Sequence, residues 1–315
     1  MIEITSLLSV TRHSSFAALL RGAIFCAALF STLSAGAADF TFAAFGDTPY
    51  TPDEEARFPG LIAEINREDL AFVVHVGDFK AARAFCTDEL FLQRREWFNV
   101  FRHPFVFVPG DNEWTDCRRI AGGRYDPLER LGKLRELFSS GDESLGQRRM
   151  RLERQLPDYP EHARWQLRDA LFVTLNVPGP DNNARLMPEE FRRRSVAINE
   201  WLGRSFGLAR ANGTRAVVVL MQANPWAAPA NRYYGFRELH AALARQAREF
   251  TGEVLLVHGD THRYRVDQPL RDPASGEVLA NFTRVEVFGY PTMNWVRIRV
   301  SEEAGRIRFT VTPGS

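Results

Sequence analysis

Four apolar segments of this sequence each end at an aspartate with a glycine directly before it. The segments FAAFGD, FVVHVGD, FVFVPGD and VLLVHGD close at Asp47, Asp78, Asp111 and Asp260, and His262 follows the last. Glycine lets a buried strand turn sharply, so these carboxylates would lie at the rim of a sheet. Several carboxylates and an imidazole can share one pocket only with cations between them. The spacing therefore predicts a metal centre.

Length and charge set bounds on the kind of protein this sequence encodes. Its 315 residues, 45% of them hydrophobic, are enough for one large domain or two modest ones. The formal net charge is +1. A general nucleic-acid binder would carry a strong basic excess, so we expect no specific nucleic-acid partner.

The N-terminal segment has the pattern of a secretory signal peptide. Arg12 and Arg21 precede an apolar stretch over residues 22–33, and Ala35-Gly36-Ala37 fits a cleavage site. An uncleaved membrane anchor is the alternative, although the stretch is shorter than the roughly 20 residues that a span needs. We predict a signal peptide over residues 1–37, a single domain over residues 38–315, secretion or periplasmic export, and no membrane association after cleavage.

Two cysteines remain after that cleavage, and an even number in an exported protein favours a disulfide. Cys86 follows Asp78 by eight residues, and Cys117 follows Asp111 by six. If the two aspartates are neighbours, their loops lie side by side and a disulfide would join two loops of the site. A pair of free thiols is the alternative.

Strand-like and helix-like segments alternate in the first half of the chain. Strand-like runs cover residues 40–45, 71–76, 105–108, 171–176, 216–221, 254–257, 284–288, 296–300 and 307–311. Helical patterns cover residues 54–66, 88–101, 127–138, 188–202 and 236–250. The alternation predicts an α/β fold with a largely parallel sheet. The last three strands lack helices between them and predict an antiparallel meander, and the polar segment 139–163 predicts a surface insertion.

Five segments in order along the chain resemble the motif blocks of the calcineurin-like metallophosphoesterases. They are residues 46–47 (GD), 77–78 (GD), 109–113 (PGDNE), 221–225 (MQANP) and 259–262 (GDTH). The resemblance covers most of residues 40–300. It implies a two-sheet β-sandwich flanked by helices, in four layers of the order αββα. It also implies hydrolysis of a small phosphorylated substrate by water that two divalent metal ions activate.

The resemblance implies a set of metal ligands, and this chain departs from the family pattern at several of them. Pro49 and Asp260 stand where the family has histidines, Asp111 stands where it has asparagine, and Gln222 is the nearest match to a further histidine. This loss of nitrogen ligands favours Mn²⁺ or Mg²⁺, with iron, Ca²⁺ and Zn²⁺ as alternatives. Asp78 is expected to bridge both ions. The implied metal ligands are Asp47, Asp78, Asp111, Gln222, Asp260 and His262.

The family's third block also supplies a histidine that assists the leaving group, and Asn112 stands in its place. Because asparagine cannot donate a proton, either His258, His262 or Tyr50 substitutes, or the substrate has a leaving group that needs little help. The implied catalytic residues are Asp78, Asp111, Asn112 and His258.

Two other functions stay open at the level of sequence. The lost histidines are compatible with a catalytically impaired domain of the cell envelope, which would bind one divalent ion and a ligand without turnover. A pair of carboxylates is also the machinery of glycoside hydrolysis. The sequence specifies neither the substrate nor the oligomeric state.

Overall fold

The apolar runs that precede the acidic residues fold as buried strands in the computed structural model of the protein. The structure describes residues 39–228 and 234–314. The predicted signal peptide over residues 1–37 lies outside the described residues, and its boundary with the following domain stays a prediction.

Twelve strands and five α-helices make up the regular structure of the described residues. The strands are β1 (Phe40–Phe45), β2 (Val73–His75), β3 (Phe105–Phe107), β4 (Glu153–Gln155), β5 (Tyr159–Leu167), β6 (Ala170–Thr174), β7 (Ala216–Leu220), β8 (Glu253–His258), β9 (Arg265–Asp267), β10 (Phe282–Glu286), β11 (Val296–Glu303) and β12 (Arg306–Pro313). The helices are α1 (Pro52–Arg67), α2 (Asp88–Val100), α3 (Pro127–Phe138), α4 (Pro188–Ala211) and α5 (Arg237–Glu249). None of the described helices combines the length and the apolar character that crossing a bilayer demands.

The strands form two mixed sheets. The first has the order β12-β11-β1-β2-β3, in which β1, β2 and β3 run parallel. The second has the order β4-β5-β6-β7-β8-β10-β9 and is parallel from β6 to β10. The predicted α/β class is confirmed. Because neighbouring strands in each parallel block point the same way, the loops that follow them leave the sheet at one edge.

Apolar side chains fill the space between the two sheets and the space outside each of them. Phe42 and Phe72 of the first sheet pack edge-to-face against Phe172 of the second, and Trp165 stacks on the same ring. Helices α1 to α3 cover the outer face of the first sheet, and α4 and α5 cover the outer face of the second. The predicted sandwich flanked by helices is therefore confirmed.

Local capping signals fix where two of the helices begin. The Thr51 hydroxyl accepts a hydrogen bond of 3.2 Å from the backbone nitrogen of Glu54 at the start of α1. The Asp126 carboxylate accepts bonds of 2.8 Å and 2.9 Å from the first turn of α3, where Pro127 needs no partner for its nitrogen. These caps explain why the predicted helix 127–138 coincides with α3.

Two predictions about the outer strands are wrong. Segment 139–163 is not a surface insertion, because it contains β4 and half of β5, where Ala163 is buried between the sheets while its neighbour Arg164 reaches outward to Glu153. The charged outward side chains of β5 concealed its alternation of buried and exposed positions. The closing meander is also wrong, since β10 pairs with β8 and β9 in the second sheet, whereas β11 and β12 form a hairpin in the first.

We expect Phe172→Ala to lower the free energy of unfolding by about 3–5 kcal/mol, because it leaves a cavity where the two sheets meet. Urea denaturation followed by circular dichroism measures the change. Val196→Ala, at a position of α4 that is 58% exposed, is the control and should shift the free energy by less than about 1 kcal/mol. Equal effects of the two substitutions would contradict the packing described above.

Candidate metal centre

Three of the four aspartates leave their strands in a left-handed backbone conformation. Asp47, Asp78 and Asp260 have φ angles of 53°, 61° and 81°. Aspartate tolerates this region better than most residues, yet such strain persists only where the surrounding structure enforces it, and it concentrates at functional sites. A Cβ atom at Gly259 would collide with the Asp47 carboxylate, so the glycine lets the loop after β8 touch the loop after β1.

The loops after β1 and β8 meet through the Asp47 carboxylate. The backbone nitrogen of Asp260 donates to both Asp47 carboxylate oxygens, at 3.1 Å and 3.0 Å. The Asp260 carboxylate accepts in turn a bond of 2.9 Å from the backbone nitrogen of Asn224, which follows β7. Carboxylates that follow strands of different sheets are therefore neighbours, as the sequence predicts.

Asp78 lies where the two sheets meet. One of its oxygens, Oδ1, accepts from the backbone nitrogen of Asn112 at 3.1 Å, and the other, Oδ2, accepts from the Gln222 amide at 3.2 Å. The Glu113 carboxylate holds the loops after β2 and β3 together, since it accepts hydrogen bonds from the backbone nitrogens of Asp78 at 3.0 Å and Gly110 at 2.7 Å. Asp78 thus has the central place expected of a bridging ligand.

Tyr50 brings a phenol into the middle of this cluster. Its hydroxyl donates to Asp78 Oδ2 at 3.2 Å, accepts from the Asn112 side-chain amide at 3.1 Å, and lies 3.5 Å from His262 Nε2. The sequence offered Tyr50 only as one of three candidates to replace the missing histidine. The structure places its hydroxyl in contact with the very asparagine that stands at the position of that histidine.

His262 presents one defined nitrogen to the carboxylates. Its Nδ1 lies 2.8 Å from the carbonyl oxygen of Tyr290, which can only accept, so Nδ1 carries the proton and Nε2 keeps its lone pair in the neutral ring. Nε2 lies 3.7 Å from Asp47 Oδ1. A backbone carbonyl that orients a histidine in this way is the usual arrangement for a metal ligand.

The electrostatics of the site are those of buried, mutually repelling carboxylates. Burial, and then the charge of neighbouring carboxylates, raises the pKa values of Asp47, Asp78 and Asp111 well above their ordinary value. Burial also raises the pKa of Asp260 to about 6 and that of Glu113 to about 7. The protein's own charges do not neutralise this cluster, so a bound cation would be strongly favoured.

The donor chemistry of the cluster suits a hard divalent cation, because it consists mainly of carboxylate oxygens with a single imidazole. In the described ranges, however, no three His, Cys, Asp and Glu side chains are close enough together to hold a metal ion. The Tyr50 hydroxyl, the Gln222 side-chain amide and the Asn112 backbone nitrogen all donate hydrogen bonds to the Asp78 carboxylate. The residues therefore fit a divalent ion by their type, and metal binding would exchange some of these hydrogen bonds for coordination.

Two predicted site residues lie in arrangements that the sequence did not foresee. Gln222 Oε1 accepts from the backbone nitrogen of Gly179 at 2.8 Å, so its amide group faces the carboxylates as a donor rather than as a ligand. His258 is fully buried at the end of β8, where burial lowers the pKa of its imidazole to about 3 and Nδ1 lies 2.8 Å from the carbonyl oxygen of Gly259. Within the described residues, the His258 ring makes no hydrogen bond to any of the four aspartates.

Three charged residues that the sequence left out of the site take part in it. Glu113 supports both loops, and Glu286 is buried in β10, where it accepts from the Thr261 hydroxyl and pairs with Arg265 at 2.9 Å. Lys80 is almost fully buried, and its ammonium group donates to the carbonyl oxygens of two nearby alanines at 3.1 Å and 2.9 Å. Burial lowers the pKa of Lys80 to about 8. A charged residue inside an apolar run is the signal that would have identified Glu286.

The predicted disulfide is confirmed between Cys86 and Cys117, whose Cα atoms are 5.7 Å apart. It closes a loop with a sequence separation of 31 residues, a length for which a stabilisation of about 3–4 kcal/mol is typical, although the mechanism is model-dependent. The Asn112 carbonyl oxygen lies 3.6 Å and 3.7 Å from the two sulfur atoms. The disulfide thus contacts the backbone of Asn112, whose nitrogen hydrogen-bonds to Asp78.

Solved structures of metal-dependent phosphatases resemble this fold. The chain is similar to the purple acid phosphatase PPD1 from yellow lupin (Lupinus luteus) seeds, with a TM-score of 0.50 and 12% identity over 88% of this chain and 52% of that one. It is also similar to a dimetal phosphatase from Danio rerio (TM-score 0.49, 13% identity, 88% and 99% covered) and to PhoD (0.48, 13%, 87% and 68%). No protein-family model and no curated protein matches the sequence. The chain has the metallophosphoesterase fold, and the predicted resemblance is confirmed at that level.

We expect the chelator-treated protein to lose stability as the pH rises. Burial raises the pKa of Glu113 from an ordinary value of 4.5 to about 7 in the folded protein. The folded state therefore binds the proton of the Glu113 carboxyl group more tightly than the unfolded state does. The resulting stabilisation, at most about 3 kcal/mol, is complete below about pH 4.5 and is lost as the pH rises through 7. Urea denaturation in EDTA across this range measures the slope.

Glu113→Gln should make that slope shallower, because the amide does not titrate, while the four aspartates with raised pKa values keep their share of the pH dependence. Glu143→Gln, on the surface, is the matched control and should leave the slope as it is in the wild type. A slope in the Glu113 variant as steep as that of the wild type would show that other groups carry the pH dependence.

Proposed function

We propose that the protein is an exported, metal-dependent phosphoester hydrolase. The observation that carries this proposal is the meeting of Asp47, Asp78, Asp111 and Asp260 with His262 where two sheets of a metallophosphoesterase fold come together. The Cys86–Cys117 bond supports export to an oxidising compartment, since such bonds are rare in reducing ones.

Two cations would share Asp78 as a ligand. Asp47 and His262 would hold one of them, since His262 Nε2 lies 3.7 Å from Asp47 Oδ1 and 3.5 Å from the Tyr50 hydroxyl, which donates to Asp78 Oδ2. Asp111 and Asp260 would hold the other, and the charge of Asp260 adds to burial in raising the pKa of Asp111. Divalent cations at such a site neutralise the charge of a phosphoryl group and activate water for attack on phosphorus. The oxygen-rich donor set favours Mn²⁺ or Mg²⁺.

The protein's own residues would orient the substrate and its leaving group. The Asn112 side-chain amide is a hydrogen-bond donor that cannot release a proton. The Tyr50 hydroxyl, 3.1 Å from that amide, holds a proton at Oη where the family has its leaving-group histidine. We propose that Tyr50, and not His258, donates a hydrogen bond to the departing oxygen.

A ligand-binding domain without turnover is the second candidate. It is favoured by the lost histidines and by the wide spacing of the potential metal ligands within residues 39–228 and 234–314. Metal analysis of the purified protein separates the two, because two bound ions support the hydrolase and a single ion supports the binding domain.

We expect Asp78→Asn to abolish hydrolysis of p-nitrophenyl phosphate, by a factor of about 10² or more, and to reduce the metal content. The substitution removes the charge of a carboxylate that follows β2 and accepts hydrogen bonds from Asn112 after β3 and from Gln222 after β7. Asp142→Asn, which breaks an exposed ion pair with Arg151, is the control and should change neither quantity. Wild-type turnover by the Asp78 variant would refute the proposed hydrolase.

We expect Tyr50→Phe to slow the release of alkyl alcohols much more than the release of p-nitrophenolate. General-acid assistance is worth about 10²–10⁴-fold for a poor leaving group and little for a good one. The ratio of kcat for an alkyl phosphate and an aryl phosphate measures the effect. Tyr159→Phe, which removes the hydroxyl of a ring stacked on His162 at the start of β5, is the control. An equal loss on both substrates would assign Tyr50 a purely structural role.

A further inference from the structure

Two loops beside the acidic cluster form an exposed surface that the proposed chemistry does not use. Residues 81–87 and 117–125 contain four arginines and no acidic residue. The arginines are exposed, and two large apolar side chains stand among them, Phe85 with 60% and Ile120 with 72% of its surface exposed. We call this surface the arginine rim. Its arginines are Arg83, Arg118, Arg119 and Arg124.

The two loops of the arginine rim are held together as one unit. The Cys86–Cys117 bond joins them, and the backbone nitrogen of Cys86 donates to the carbonyl oxygen of Gly122 at 3.0 Å. The buried Arg130 of α3 adds a bond of 2.9 Å to the Cys86 carbonyl oxygen. Phe85 and Ile120 are each within two residues of one of these connections, so the fold displays both on a fixed platform.

Most of the positive charge on the arginine rim has no counterpart in the protein. Arg119 pairs with Asp116 at 2.7 Å. Within residues 39–228 and 234–314, no carboxylate lies within ion-pairing distance of Arg83, Arg118 or Arg124. Unpaired arginines around protruding Phe and Ile side chains are the composition of a surface that lies on lipid, where the apolar groups enter the acyl boundary and the cations meet anionic headgroups.

We propose that the arginine rim binds an anionic lipid surface. A nucleic-acid backbone would satisfy the arginines and leave Phe85 and Ile120 in water, whereas an anionic lipid surface satisfies both. The rim adjoins the acidic cluster, because the Asn112 side-chain amide donates to the carbonyl oxygen of Lys80 at 3.0 Å, one residue before the first loop. This binding departs from the sequence-based expectation of no membrane association, and it does not depend on catalysis.

Vesicle co-sedimentation of the protein purified after export tests the proposal. We expect binding to vesicles that contain phosphatidylglycerol, little binding to pure phosphatidylcholine vesicles, and weaker binding at high salt. Arg83→Gln with Arg124→Gln should weaken binding about fivefold per residue. Phe85→Ser with Ile120→Ser should weaken it about tenfold or more.

Matched controls separate the arginine rim from general surface effects. Val196→Ser removes an apolar side chain of similar exposure on α4, and Arg67→Gln removes an exposed cation at the C-terminal end of α1. Both controls should bind vesicles as the wild type does, and the rim variants should keep wild-type thermal unfolding and wild-type hydrolysis of a soluble aryl phosphate.

Four results would overturn the proposal. The first three are equal binding to both kinds of vesicle, rim variants that bind as tightly as the wild type, and rim variants that bind no more weakly than the two controls. Tighter binding to an acidic peptide or to DNA than to the anionic vesicles would also overturn it. Because vesicle binding is measured without a substrate, a failure here leaves the proposed hydrolase standing, and a lack of hydrolysis leaves the lipid surface standing.

Discussion

Buried negative charge is the constraint on which this structure depends. Asp47, Asp78 and Asp111 are buried and Asp260 is partly buried, and each ionises only against desolvation and against the charge of neighbouring carboxylates. Left-handed backbone, donated N–H groups and the disulfide hold these groups where repulsion would separate them. The hydrogen bonds of these carboxylates also join loops of the two sheets, so the same contacts position the acidic cluster and link the sheets.

The strands and helix starts that depend on local patterns can be predicted from the sequence. Apolar runs of four to six residues that stop at Gly-Asp predict strands β1, β2, β3 and β8, since a buried strand must be apolar and its turn must be tight. Caps and proline mark the start of α3 without reference to any other segment. The order of the acidic motifs along the chain then predicts which loops share an edge.

Strand pairing and side-chain contacts between residues far apart in sequence cannot be predicted in the same way. β5 lies between β4 and β6, and its outward residues are charged, so its alternation of buried and exposed positions was hidden. β10 joins the second sheet through pairing with β8 that no local pattern encodes. Gln222 was predicted as a ligand from its position in a motif, but the direction of its amide depends on Gly179, 43 residues away. Tyr50 matters through contacts with Asp78, Asn112 and His262, which only the folded chain brings together.

The disulfide has a practical consequence for the way the protein is prepared. In a reducing cytosol, Cys86 and Cys117 would be thiols, and the peptide unit of Asn112 would lose the covalent frame behind it. Material expressed there and material collected from an oxidising compartment would then differ as molecules, even with identical sequences. The free-thiol content of an inactive preparation should be measured first, before the inactivity is attributed to the carboxylates of the acidic cluster.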